Sequence, residues 1–287
     1  MFLQSGPEMV IASCQAGIVG SFPSFNARTV DDLDAWLARI TAEVGEAHAP
    51  WAINLVTHRS NPRRLDDLAL AEKYRAPLVI TALGSPAEVV ERVHAYGGRV
   101  LADVIDLRLA RKAIAAGVDG LVLVAAGAGG HTGQQSPFAF VTEIRQHFDG
   151  ILVLGGGISN GRGVRAAEIL GADYAYLGTR FIASEESLAD QEYKQMVVEA
   201  SGADIVCSDA LTGVKANWLR ASLIRAGYDP NNMPEAGDID VLKSSSDVKR
   251  WRDIWAAGQG AGAVKDILPI AAIVDRLSME YEEARQP

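Results

Sequence analysis

Short runs of aliphatic and β-branched residues alternate with amphipathic stretches along the first two thirds of the chain. Runs of strand length fall at 18–22, 51–56, 78–81, 100–104, 121–125, 151–154 and 174–177. Between them lie stretches with helical spacing. The first, 7–16, has Pro7 in its first turn and Gly17 just past its end, the positions these residues favour around a helix. In 31–44, Leu33, Trp36, Leu37 and Ile40 share one face. Further helices are expected at 62–74, 86–96, 107–116, 137–148 and 161–170. Strict alternation of strand and helix implies a parallel sheet. Seven regular units favour a (β/α)8 TIM barrel; an open doubly wound sheet is the alternative. A barrel of eight needs one more strand ahead of the first helix, and Met1-Phe2 stands where that strand would end. The expected fold is therefore an α/β (β/α)8 barrel lacking its first strand.

After Phe181 the alternation stops. Helices are expected at 184–200, with Ser184 as N-cap, and at 215–226. Residues 229–246, rich in Pro, Asn, Asp, Gly and Ser, read as loop. A short helix carrying Trp251 and Trp255 is expected at 248–257, and a last one at 266–283. A stretch this long is not an ordinary barrel loop. The expected division is a barrel of 1–183 and 263–287, with 184–262 forming a helical lid or substrate domain over its mouth.

Composition narrows the function. A net charge of −9 and a pI near 5.1 argue against a nucleic-acid partner. Cys14 and Cys207 support neither a disulfide framework nor metal-ligand spacing. No apolar run reaches the ~18–20 residues of a membrane span, and no basic segment precedes an apolar one at the start. The expectation is a cytoplasmic protein without membrane partners.

The chemistry gathers at three strand ends. The run 121–125 opens into Ala-Gly-Ala-Gly-Gly-His-Thr-Gly (126–133), where His131 lies among glycines that allow close backbone approach. Imidazole can take or give a proton near neutral pH. His131 is read as a general base, or else as a hydrogen-bonding residue that moves no proton. His48, His58, His94 and His147 are expected at the surface. Gly155-Gly156-Gly157 and Gly178-Thr179-Arg180 follow the last two strands, where barrels often bind phosphate through backbone N–H groups and a helix N-terminus. The alternative is that these glycines only make tight turns. Asn54 interrupts an apolar strand and must find a partner, within the barrel or on a ligand. Asp103 is similar, with a structural role as its simpler reading. Trp251 and Trp255 read as packing residues, and Gln259, in Ala-Gly-Gln-Gly (257–260), is placed to reach back toward the site. A phosphate-anchored ligand beside a histidine, with few charged groups, points to a bound cofactor, and FMN fits.

Four motifs carry a resemblance along nearly the whole chain: Ala-Gly-Gly-His-Thr-Gly (128–133), Gly-Gly-Ile-Ser-Asn-Gly-Arg-Gly (156–163), Leu-Gly-Thr-Arg-Phe (177–181) and Ala-Gly-Gln-Gly (257–260). In these the chain resembles the nitronate monooxygenase family, FMN-dependent barrel enzymes with a helical lid. The resemblance implies that His131 is the catalytic base or orients the substrate. It implies that Gly156, Gly157, Gly178 and Thr179 bind the FMN phosphate and that Asn54 contacts FMN. It places the Met1 backbone against the flavin ring and lets Gly130 approach it. The implied reaction is oxidation of a small alkyl nitronate, or of a nitroalkane after proton removal, by O2 to a carbonyl compound and nitrite. The leading alternative is an FMN-dependent enoyl-thioester reductase; a flavin-free phosphate-sugar isomerase is a third.

Overall fold

The computed structural model describes residues 1–235 and 251–286. Helix α1 (Pro7–Gln15) leads into β1 (Gly20–Pro23), and βα units follow: α2 (Val30–Glu43), β2 (Trp51–Val56), α3 (Arg64–Lys73), β3 (Leu78–Ala82), α4 (Ala87–Ala95), β4 (Arg99–Val104), α5 (Leu107–Ala115) and β5 (Gly120–Val124). A two-residue strand, β6 (Gly130–His131), precedes α6 (Pro137–Arg145), β7 (Ile151–Gly155), α7 (Gly161–Leu170), β8 (Tyr174–Tyr176) and the one-turn α8 (Thr179–Ile182).

Seven of these strands form one parallel sheet in the order β1-β2-β3-β4-β5-β7-β8. The expected architecture holds: a curled TIM-barrel sheet with seven strands among the described residues, and with helices on its outside. Outward residues such as Leu55, Val79, Val100, Leu121, Leu123 and Leu152 pack with the helices in the main core. Inward residues Ala52, Ile80, Leu101 and Val122 form a separate apolar floor. The two sheet edges, β1 and β8, are not paired, yet Ser21 Oγ and Tyr176 OH meet at 2.9 Å. A hydroxyl contact between the first and last strands requires the sheet to curl almost to closure.

Local chemistry explains several boundaries. Thr29 and Asp32 form a reciprocal capping box at α2. The first strand begins at Gly20 rather than 18, because it runs under α1. A Cβ at Gly20 would stand 2.5 Å from Val10 O, so only glycine lets the strand pass. The last helix, α11 (Ile270–Glu283), begins four residues later than expected, since Pro269 is extended and Leu268 before it is disfavoured in a helix. α11 lies on α7 at backbone distance: a Cβ at Gly161 would come within 2.2 Å of Leu277 O. The Glu280 carboxylate accepts a hydrogen bond from Gly161 N–H and so caps α7.

The segment between α8 and α11 differs most from expectation. Residues 184–190 are not helical; α9 spans only Gln191–Glu199. Ser184 donates its hydroxyl to Phe181 O instead of capping α9, and the Glu186 carboxylate accepts from Ile270 N–H at the start of α11. Residues 215–226 are not one helix. They form β10 (Ala216–Leu219) followed by α10 (Arg220–Arg225). β10 pairs antiparallel with β9 (Ile205–Ser208) on one side and with β6 on the other. This three-stranded sheet is the correction to a purely helical lid. All four β10 residues are buried, so the strand carries no alternating pattern. Residues 248–250 of the expected tryptophan helix, and 236–246 of the expected loop, lie outside the described residues; 251–257 are non-helical. Among the described residues no helix is long and apolar enough to cross a membrane.

Candidate functional site at the strand carboxyl ends

His131 is not on a free loop. As part of β6 it pairs with Ala216, and Gly130 pairs with Asn217. Thr132 N–H donates to Lys215 O, and the buried Asn217 side chain donates to Ala128 O at 2.7 Å. The glycine loop is thus stapled at several points. Gly130 has φ +69, a conformation that favours glycine. His131 Nε2 is buried and has no hydrogen-bond partner among the described residues. Burial moves the imidazole pKa below its usual value. The ring is therefore neutral at neutral pH, the state a base requires. Its edge meets the Trp251 ring, centroids 5.2 Å apart, and Trp251 in turn packs on Trp218 at 4.6 Å. The other four histidines are exposed, as expected.

The glycine turns sit beside this loop. Gly156 and Gly157 have φ +140 and +72, and a Cβ on Gly157 would meet nothing within 4 Å. Gly178 immediately precedes the single turn α8; its carbonyl accepts from the Phe181 and Ile182 N–H groups, so the first-turn donors left over are those of Thr179 and Arg180. The Met1 side chain approaches Gly178, 3.5 Å from where a Cβ would stand. The Met1 carbonyl accepts from Asn26 Nδ2, Gln4 N–H and Ser5 N–H. Arg180 turns away and pairs with Asp266 at 2.8 Å.

The Ala257–Gly260 run ties turns and loop together. Gly258 N–H donates to Thr179 Oγ1 at 2.8 Å, and Gln259 N–H donates to Gly127 O at 2.9 Å. A Cβ at Gly260 would stand 2.3 Å from Ser159 Oγ and 2.9 Å from Gly157 O. Gln259 reaches the histidine loop as expected, its Oε1 lying over Gly127.

Inside the barrel, Asn54 Nδ2 donates to Asp103 Oδ2 at 3.2 Å. Burial pushes the Asp103 carboxyl up to about 7, against the opposing pull of the Asn54 hydrogen bond and the Met1 amine. Tyr176 on the same inner face is pushed up to about 12, chiefly by burial and further by Asp103. Tyr176 and Ser21 were not visible as candidates in the sequence; the only signal was a tyrosine and a serine at inward positions of strands whose neighbours are aliphatic. The i, i+4 spacing predicts Trp251 and Trp255 packing together on one helix. The two part company: Trp255 stacks on Tyr193 at 4.8 Å, and Trp251 covers His131.

Buried polar atoms without partners are rare in folded proteins and call for an explanation. Among the described residues, Asp103 Oδ1, His131 Nε2 and Ser159 Oγ are three such atoms. They belong to the barrel interior, the histidine loop and the second glycine turn. Together with the open space over Gly157, they fit an elongated ligand with a polar, phosphate-bearing tail and a ring over the apolar floor.

Fold and site geometry are those of a TIM-type barrel whose glycine turns, histidine loop and buried polar atoms gather at the carboxyl ends of its strands. Comparison with known proteins carries this further: the nitronate monooxygenase family profile matches residues 24–280, and the chain belongs to that family of oxidoreductases. A nitronate monooxygenase of Paraburkholderia phytofirmans is 29% identical over 236 residues, covering 76% of this chain and 64% of its own. A Mycobacterium tuberculosis protein named as a monooxygenase is 36% identical over 203 residues, covering 70% and 53% respectively. The chain thus spans about half to two thirds of the length of these relatives. Among solved structures, FabK from Thermotoga maritima superposes with a TM-score of 0.80 at 25% identity, covering 99% of this chain and 91% of that one. A nitroalkane oxidase from Streptomyces ansochromogenes shares the fold, with a TM-score of 0.85 at 24% identity over 98% and 94%.

Proposed function

We propose that this protein is an FMN-dependent enzyme that oxidises small alkyl nitronates with O2 to a carbonyl compound and nitrite. The observation that carries the reading is the buried, unpartnered Nε2 of His131, on a loop strapped beside the glycine turns. The turns at Gly156–Gly157 and Gly178–Thr179 would hold the FMN phosphate through backbone N–H groups. Thr179 would also act from the second side, since its hydroxyl orders Gly258 over the turn. Ala52, Ile80, Leu101 and Val122 give the ring an apolar floor, with Asn54 at its polar edge and Met1 and Gly130 supplying close backbone. When bound, the flavin supplies the electron transfer between nitronate and O2.

The chain's own residues do the rest. A nitronate is already deprotonated at carbon, so its oxidation asks His131 only to orient it. A neutral nitroalkane must first lose its α-proton, and His131 Nε2, neutral because it is buried, takes it. Trp251 and Trp218 exclude water from the imidazole. The segment 184–262 acts as the lid, with β10 holding the histidine strand in register.

Replacing His131→Asn tests the assignment. Turnover of a neutral nitroalkane should fall by roughly 10²–10⁴-fold, the usual contribution of a general base. Turnover of the matching nitronate should fall far less. Equal losses on both substrates would remove the base role.

A further inference from the structure

β2 and β4 are not neighbours, because β3 lies between them. Asn54 on β2 nonetheless bonds Asp103 on β4 at 3.2 Å. Such a contact forms only across the concave face of the curled sheet. The surrounding inner face is aliphatic, with Ala52, Ile80, Leu101 and Val122. A carboxyl in that setting is destabilising unless its hydrogen bonds are used.

Two features indicate a use. Asp103 Oδ1 is buried and unpartnered. The Asn54 amide is also not free to choose its orientation. Asp103 Oδ2 accepts from Asn54 Nδ2, and this bond turns the NH2 end of Asn54 toward the carboxyl. The carbonyl end of Asn54 makes no hydrogen bond among the described residues and is left as an acceptor on the inner face. The Met1 amine and the Tyr176 hydroxyl, itself 2.9 Å from Ser21 Oγ, interact with the Asp103 carboxyl.

We propose that Asp103 is a positioning residue: it holds the Asn54 side chain with its carbonyl oxygen presented to an N–H edge of the bound ligand. On the flavin reading above, the matching group is the imide N–H of the ring, and the inference rests on that reading. The pair works through geometry. Asp103 touches Asn54, and Asn54 touches the ligand.

The test is FMN affinity, measured by quenching of flavin fluorescence on titration with the full-length protein, with thermal melts confirming that each variant is folded. Asp103→Asn keeps an acceptor for Asn54, and its affinity should stay within about twofold. Asp103→Leu removes the acceptor, and Asn54→Ala removes the amide; each should weaken binding by roughly tenfold, the scale of one lost hydrogen bond. The double variant should be no weaker than Asn54→Ala alone, because both changes break one linkage. The exchanged pair, N54D with D103N, keeps the volume and the internal hydrogen bond but reverses donor and acceptor. It should fold and still lose roughly tenfold in affinity. Multiplying losses in the double variant, or full affinity in the exchanged pair, would overturn the inference while leaving the flavin reading intact. A wild-type protein that takes up no FMN would overturn both.

Discussion

Replacing Asp103 by asparagine should make the protein more stable, by an amount that depends on pH in a fixed direction. A carboxyl raised in the folded state from its usual range to about 7 binds its proton more tightly folded than unfolded. Between the two values the unfolded chain has released the proton and the folded one has not, so stability falls as pH rises. Above the folded value the loss levels off. Each tenfold change in the ionisation constant is ~1.4 kcal/mol, so the wild-type carboxyl destabilises the fold by about 4 kcal/mol at pH 8 and by somewhat under 2 at pH 5. Asp103→Asn is isosteric, and its carbonyl can still accept from Asn54 Nδ2. Its advantage should therefore be near zero at about pH 3.5 and grow to several kcal/mol by about pH 8. The Met1 amine, itself pulled down by burial and raised by Asp103, faces the carboxyl and takes part of this difference; Tyr176 stays neutral throughout. Urea unfolding of the cofactor-free protein at three pH values measures it. A variant whose advantage is flat with pH, or shrinks as pH rises, would mean that the folded protein holds the carboxyl as a carboxylate.

Three further expectations follow from named contacts. Gly157→Ala should lower stability by only about 1–2 kcal/mol, the strain of φ +72 in open space, yet weaken FMN binding sharply by filling the space over the turn; unchanged affinity would remove Gly157 from the phosphate site. Gly161→Ala should destabilise by about 1–3 kcal/mol or more in a thermal melt, because its Cβ would be driven against Leu277 O and Tyr281 N, which are backbone and cannot swing aside. In the pH profile of kcat/KM for a neutral nitroalkane, the acid limb should break below the ordinary imidazole value of ~6.5, since burial depresses His131; a break above that value would point to another base.

Where the sequence predicted correctly, the signal was local. β2 and β4 lie on their aliphatic runs, and Gly17, just past the first helix, is left-handed as its place at a helix end predicts. The seven-strand count and the open edge could be read because each unit repeats the same alternation. The failures share one cause. β10 exists because two distant segments, Gly130–His131 and Ile205–Ser208, flank it. Four consecutive buried residues give no periodicity to distinguish strand from helix. Ser184 looked like an N-cap, but its hydroxyl found Phe181 O first. At the site, His131 and the glycine turns stood out by residue type and place. The Ser21–Tyr176 contact depended on the curl of the sheet, and Trp251 on a turn with φ +68 that no local pattern announced.

The central claim is that these strand ends hold a flavin that oxidises nitronates. The most direct measurement is an absorption spectrum of the protein reconstituted with FMN, followed by anaerobic addition of propionate 3-nitronate. The account predicts bound-flavin bands that bleach on addition and return with O2, with nitrite formed. Bands that persist with the nitronate but bleach with NADH, and are restored by an enoyl thioester, would contradict it in favour of a reductase. A protein that takes up no FMN at all would contradict the reading of the glycine turns themselves.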